Sequence, residues 1–431
     1  MIIGRLVSLL TTGLAARGRI LSRRLAATAA GLWMIAFASV VALADTVPDS
    51  TWVALSSLPH QGHTAIFALA VDPSNNQVLL AGNSEGSLFK SPNGGATWNV
   101  VHAGKSVVTT IAYSQYTSGL VLAGTRGGGA FVSRDGGTTW SSAVGLEGRI
   151  VHVFAFSLTI VAAGTDKGVY MSPDGGSWSQ STLSNRSIDA IAVEAIHAPV
   201  RLVAGSDAQV SGSLPLYQSL DSGASWTTLT PPIAGATIVK LGAGPLPATG
   251  NVRPLVVGSN TGLFLSNDNG ANFAPLSGGA LLPTTDYTQV AFITDHFDRF
   301  YAASDGGGSK SGGLWRTDDG GQSFRSLQPP QPSVTALAVS NDENPALYVA
   351  IFQPSTHAAS IWAYHDTGGV PQGPSSSQTA VASGARTSHP SSTSALQQIL
   401  DAPELPYLGL GLGALAVVLT AVVAHMRSRY R

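Results

Sequence analysis

Apolar and polar residues alternate with a period of two through most of residues 51–366, in short runs broken by glycine-rich turns. Ile66–Val71, Val153–Phe156 and Thr335–Val339 are such runs. Each is followed by a second run that ends in Ala-Gly or similar: Val78–Gly82, Leu120–Gly124, Ile160–Gly164, Arg201–Gly205 and Leu255–Gly258. A third run, such as Ser87–Ser91, Val169–Ser172 or Leu263–Ser266, leads into a turn phrase, and the aromatic closing that phrase opens a fourth. Period-two alternation with closely spaced turn signals predicts strands, and no helical period intervenes. Four strands in roughly 45 residues make one blade of a propeller.

The turn phrase is itself a repeat. It reads SPNGGATW at Ser91–Trp98, SRDGGTTW at Ser133–Trp140, SPDGGSW at Ser172–Trp178, SLDSGASW at Ser219–Trp226, SNDNGANF at Ser266–Phe273 and TDDGGQSF at Thr317–Phe324. Its third positions are Asn93, Asp135, Asp174, Asp221, Asp268 and Asp319. A carboxylate there can accept backbone N–H groups across the turn, glycine supplies positive φ, and the aromatic covers the gap between blades. Recurrence in every blade marks these residues as structural rather than catalytic. A seventh second strand at Leu347–Ala350 and third strand at Ile361–Tyr364 lead to Asp366-Thr367-Gly368, a decayed form of the phrase. No fourth strand follows, yet an orphan one, Thr51–Leu55, precedes the first blade. The sequence therefore predicts an all-β, seven-bladed β-propeller of four-stranded blades over 51–366, closed by its N-terminal strand so that no sheet edge is left free.

These phrases resemble the BNR/Asp-box repeats of sialidases, sortilin-type receptors, xyloglucan-degrading hydrolases and plastid-type photosystem II stability factors. The resemblance implies the propeller fold but not one activity, because a fold of this kind serves many functions. In the Asp-box enzymes it implies an active site on the face opposite the Asp-box turns.

Composition changes the picture at the two ends. Only 11% of residues are charged, 44% are apolar and there is no cysteine, which excludes a disulfide scaffold and a thiol nucleophile. Five arginines and no acid fall within residues 1–24, ahead of the uncharged run Leu25–Ala44. That pattern predicts a signal peptide, or an uncleaved anchor, over 1–44, with Ala42-Leu43-Ala44 as the cleavage signal. Ser22-Arg23-Arg24 is a partial twin-arginine feature. Residues 405–425 form a second apolar run, long enough to span a bilayer, followed by a basic tail over 426–431. Leu405-Pro406-Tyr407-Leu408-Gly409 has the outline of a sortase signal, with Leu408 where that family has threonine. The positive-inside rule retains both basic ends in the cytoplasm. The body is then expected outside the cell membrane on a single span, or two if the first segment is uncleaved. Residues 367–404, rich in Ser, Thr, Pro and Gly, read as a flexible stalk.

The body carries 14 Lys and Arg against 20 Asp and Glu between Thr51 and Asp366, which argues against nucleic acid as a partner. On the face away from the Asp-box turns, the connections carry the binding candidates Arg126, Lys167, Arg149, Arg186, Asp207 and Asp305, and the catalytic candidates Glu85, Glu147 and Asp166. Asn185, Asn260, His102, Lys105 and Lys310 lie on the same connections, and Asn185-Arg186-Ser187 is a glycosylation sequon. The resemblance to sialidases asks for three arginines around a carboxylate, and Arg126, Arg149 and Arg186 are the available trio. A glycosidase of the two-carboxylate type asks only for a facing acid pair. His60 and His63 are too few to hold a metal. No nucleotide loop, nucleophile elbow or zinc motif occurs, so neither cofactor nor metal is expected. Three readings follow: a membrane-anchored module that binds protein or glycan, a surface glycoside hydrolase, and an assembly or stability factor for a membrane complex.

Overall fold

The computed structural model describes residues 49–59, 64–229, 233–245, 253–293, 296–307, 311–353 and 355–371. The chain divides into two units, Met1–Ser375 and Ser376–Arg431, and the described residues all belong to the first. The expected signal segment, most of the stalk, the apolar run 405–425, the basic tail, His60, His63 and Lys310 lie outside the described residues. Among those described, no helix is long and apolar enough to cross a membrane.

The described chain is an all-β propeller. Each four-stranded sheet is an antiparallel meander whose strands follow one another outward from the centre. The first sheet runs Ile66–Asp72, Asn75–Asn83, Ser87–Ser91, Asn99–Ala103. Five sheets have four strands. The expectation of separate blades throughout needs correcting in one place, where eight strands form a single sheet. There the strand Arg201–Ser213 runs on past its own hairpin, and its far half pairs with Ala234–Ala243, with Asp207 opposite Thr237. The connection Asp207–Pro215, long enough to extend, has continued as a strand and found the neighbouring edge.

The innermost strands pack in sequence around a ring: Ile66–Asp72, Val108–Tyr113, Val151–Phe156, Ile188–Ala195, Ala234–Ala243, Tyr287–Ile293 and Val334–Val339, the last against the first. Closure comes from the N-terminus. Trp52–Ala54 is the outer strand of the sheet built from Val334–Val339, Ala346–Gln353 and Ala358–His365, with Trp52 opposite Tyr364. Trp52 is fully buried, donates its indole N–H to the Leu327 carbonyl at 2.8 Å, and lies 4.9 Å from the Tyr364 ring. It packs on Tyr301 and Leu314 of the preceding sheet. Trp178 does the same against Leu122 and Val132, and Trp98 against Tyr348 and Ala350. The six Asp-box aromatics sit just before their outer strands, which begin at Asn99, Ser141, Ser179, Thr227, Ala274 and Arg325, whereas Trp52 opens its own.

The Asp-box turns have one repeated wiring. Ser133 donates its hydroxyl to Asp135 at 2.8 Å and accepts the Gly137 amide at 2.8 Å. Asp135 accepts the Thr139 amide at 2.9 Å. Asn93, Asp221, Asp268 and Asp319 each accept the amide four residues on at 2.8–2.9 Å. Asp174, in a phrase one residue shorter, accepts Gly176 at 2.9 Å. Gly137 has φ +84°, and a Cβ there would lie 2.7 Å from Leu80 of the preceding sheet. The decayed phrase has a different task. Asp366 is fully buried, accepts Arg316 at 2.6 Å and the Tyr301 hydroxyl at 2.7 Å, and so ties the closing sheet to the one before it.

The Ala-Gly strand ends explain how closely the sheets approach. A Cβ on Gly205 would meet Ile238 at 2.6 Å, and one on Gly124 would meet Val151 at 2.8 Å. In both cases the obstructing residue is buried on the next inner strand, Val151 at its start and Ile238 midway along it.

Gly205→Ala forces a sheet apart and should destabilise by about 1–3 kcal/mol, the usual cost of overpacking. Thermal or denaturant unfolding measures it. Trp52→Ala should cost about 3 kcal/mol or more on the core-truncation scale. Val144→Ala, at an exposed site, should stay within about 0.5 kcal/mol. Deleting residues 45–57 removes the closing strand, and a melting curve matching the intact chain would show that the ring closes without it.

A charged cluster at the mouth of the ring

In an antiparallel meander, alternate connections share an end. The Asp-box turns and the first hairpins therefore lie on one face. The connections after the second and fourth strands lie on the other, as the sequence implied. Each inner strand enters from that second face, and its second residue lines the mouth of the central channel. Those residues include Phe67, Thr109, His152, Asp189, Thr288 and Thr335. Thr109 and Thr335 turn their hydroxyls onto neighbouring inner strands, at the carbonyls of Val151 and, at 2.7 Å, Ile66. His152 and Asp189 instead meet each other.

The His152 ring Nδ1 is 3.4 Å from Asp189 Oδ1, and its Nε2 is 3.4 Å from the Ser187 hydroxyl. Ser187 donates to Asp189 Oδ1 at 3.0 Å. Asp189 Oδ2 is buried with no hydrogen-bond partner in the structure. Asp207 lies on the neighbouring connection, and its charge acts on Asp189. Burial first, and then the charge and proximity of Asp207, push the Asp189 carboxyl up to about 6, against a hydrogen bond from Ser187 that lowers it. A like charge nearby disfavours ionisation, so Asp189 keeps its proton into the mildly acidic range. Burial lowers His152, with Arg126 adding to that direction and Asp166 and Asp207 opposing it. The imidazole is therefore neutral at pH 7.

The candidates named from sequence are thus distributed as follows. Arg126, Asp166 and Asp207 all act on His152 and belong to this cluster. Asp166 accepts the Ile150 amide at 3.1 Å and lies 3.8 Å from Arg149. Arg186 lies 4.8 Å over the Tyr217 ring and bonds its hydroxyl. Of the sialidase-type trio, then, Arg149 is engaged with Asp166 and Arg186 with Tyr217. Glu147 is exposed and folds back on its own amide and on the Gly145 amide, the latter at 2.9 Å, and these N–H groups hold its carboxyl low. Glu85 and Lys167 are exposed, and Asp305 accepts the Gly307 amide at 2.9 Å. His102 stacks on Phe131 at 4.3 Å. Sequence reasoning missed His152, Asp189 and Ser187. The available signal was a polar residue breaking an apolar inner strand, in VHVFAF and SIDAIAV. Among the described residues, no group of three or more His, Asp or Glu is placed to hold a metal.

No family model matches the chain, and no curated protein matches it. Many solved structures share its fold. U3-55K is 14% identical with a TM-score of 0.54, over 74% of this chain and 100% of that one. YCF48 bound to D1 peptide is 14% identical with a TM-score of 0.52, over 75% and 98%. An ancestral GH74 enzyme is 17% identical with a TM-score of 0.45, over 71% and 55%. At such identities the likeness is one of fold.

The titration of Asp189 has a testable sign. Its folded pKa lies above the unfolded value, so the native state binds more protons between them, and stability falls as pH rises through that interval. Asp189→Asn removes this term. The variant should melt with wild type near pH 4 and above it at pH about 7, in a pH series of thermal unfolding curves.

Proposed function

We propose that this chain is a binding propeller held on the outer side of a cell membrane, with the charged channel mouth as its contact site for a protein partner. The observation that carries the reading is the convergence of Arg126, His152, Asp166, Asp189 and Asp207 from separate connections and inner strands onto one place. Charged groups that meet at an exposed mouth favour recognition of a complementary charged surface, and set its orientation. Asp207 is exposed there. A propeller of similar fold, YCF48, has been solved bound to a D1 peptide, which supports the taking of a protein segment by this architecture. An assembly or stability role for a membrane complex is one form of this reading.

Seven blades are part of the proposal. The eight-stranded sheet counts as two, because it holds two complete meanders joined only through the far half of Arg201–Ser213. Cores between successive meanders support the same count. The domain plan is likewise proposed from sequence: segment 1–44, propeller 51–366, stalk 367–404, span 405–425 and basic tail 426–431.

A glycoside hydrolase is the second reading, favoured by the acid pair with one raised carboxyl.

A photo-crosslinking amino acid in place of Lys167, on the mouth face, should capture a discrete protein from the native membrane. The same substitution at the exposed Leu220, on the Asp-box face, should not. Adding Asp207→Ala should weaken the Lys167 product by about tenfold or more. Capture from Leu220 alone, or indifference to Asp207→Ala, counts against this site. Glycoside turnover abolished by Asp189→Asn or Asp207→Asn would establish the hydrolase reading instead.

A further inference from the structure

On the Asp-box face, the residue just before a turn phrase closes the gap to the next sheet. Lys90 donates its ammonium to Thr138 of the following phrase at 2.8 Å. Met171 Sδ lies 3.0 Å from the point where a Cβ on Gly223 would sit. Gln218 donates to the Asn269 carbonyl at 3.5 Å, and Arg316 reaches Asp366 at 2.6 Å. Where this residue is Val132, Arg134 two places on crosses instead, to Asp174 at 2.8 Å. The exception among the six phrases is Leu265, which has no donor to send across.

Beside Leu265 the gap stays open. A cleft of about 510 Å³ lies between its sheet and the next, within the range of about 300–1,000 Å³ typical of small-ligand sites. Leu265, Leu276 and Phe292 give it apolar walls, with Phe292 4.9 Å from the buried Phe300 ring. Asp298 and Asp319 line it as well, and no Lys, Arg or His does among the described residues. The Asp298 carboxylate has neither ion pair nor hydrogen bond among those residues, and the neighbouring Arg299 turns to Asp318 at 2.8 Å. Register shows what is missing. The point where a Cβ on Gly136 would sit is 3.8 Å from Lys90 Nζ. At the equivalent Gly320, the atom facing that point is Asp298 Oδ1, at 3.5 Å.

We propose that this cleft binds a small alkylammonium ion, which takes the place that the Lys90 ammonium holds in its own gap. The ammonium hydrogen-bonds the Asp298 carboxylate, and the alkyl chain lies along Leu265, Leu276 and Phe292. Phe292 brings an aromatic ring to the same cleft, a favourable neighbour for a cation. Asp319 can share the charge without giving up its turn bonds, as Asp174 accepts both Arg134 and the Gly176 amide. The cleft is on the Asp-box face and is independent of the binding site at the channel mouth.

The test is calorimetric titration of the full chain in detergent at pH 7, with butylammonium chloride, 1-butanol and sodium butyrate in turn. Butylammonium should bind saturably and at least about tenfold tighter than butanol, the gain expected when a charged hydrogen bond is added to the same alkyl burial. Butyrate should bind no better than butanol. Equal affinity for butylammonium and butanol, or no saturable butylammonium binding, overturns the proposal. Two variants locate the site. Asp298→Asn should weaken butylammonium about tenfold and leave butanol unchanged. Leu265→Lys installs the cation that Lys90 supplies in its own gap and should abolish butylammonium binding. Unchanged affinity in either variant, with its fold verified by melting, overturns the assignment to this cleft.

Discussion

The ring depends on one packing constraint: a sheet packs its closing aromatic and an early residue of its own inner strand against the sheet before it, in the same narrow gap. A sheet of this width has two apolar faces and cannot satisfy either alone. Trp98, Trp178 and Trp52 each turn toward the sheet before their own. The facing sheet accommodates the approach with residues of minimal size, such as Gly124 before Val151 and Gly205 before Ile238. The Asp-box turn serves this arrangement. Its hydroxyl and carboxylate satisfy the turn's own amides, so that a tight, rigid corner delivers the aromatic to the gap.

Closure applies the same rule to the ends of the chain. The last sheet lacks an outer strand of its own, and Trp52–Ala54 supplies it. The degenerate Asp phrase keeps one turn bond, from the Gly368 amide to Asp366 at 3.1 Å. Asp366 turns inward to Arg316 and Tyr301 and replaces a corner with a buried ion pair across the seam. Buried charge is costly unless fully partnered, and here the carboxylate has both a guanidinium and a hydroxyl.

A ring built on repetition confines its chemistry to departures from the repeat. At Thr109 and Thr335, two threonines at the register position at the mouth, the hydroxyl caps a neighbouring carbonyl. Where that position holds His152 and Asp189, the side chains face one another and gather Arg126, Asp166 and Asp207 around them.

Strand order, the Asp-box corners and the closing N-terminal strand were legible in the sequence, because each is a local pattern repeated at near-constant spacing. Alternation sets which face of a strand is buried, and the turn phrase carries its own hydrogen-bond partners within eight residues. The fusion of two meanders through Arg201–Ser213 was not legible, because strand pairing at a free edge depends on which neighbour lies within reach. The channel-mouth cluster escaped for a related reason. Its members are separated by up to 81 residues, from Arg126 to Asp207, and only ring curvature brings them together. The sequence by itself determined the repeat and what each repeat must bury. The tertiary structure alone decided which charged residues share a dielectric, because that depends on distances across the ring that no spacing along the chain encodes.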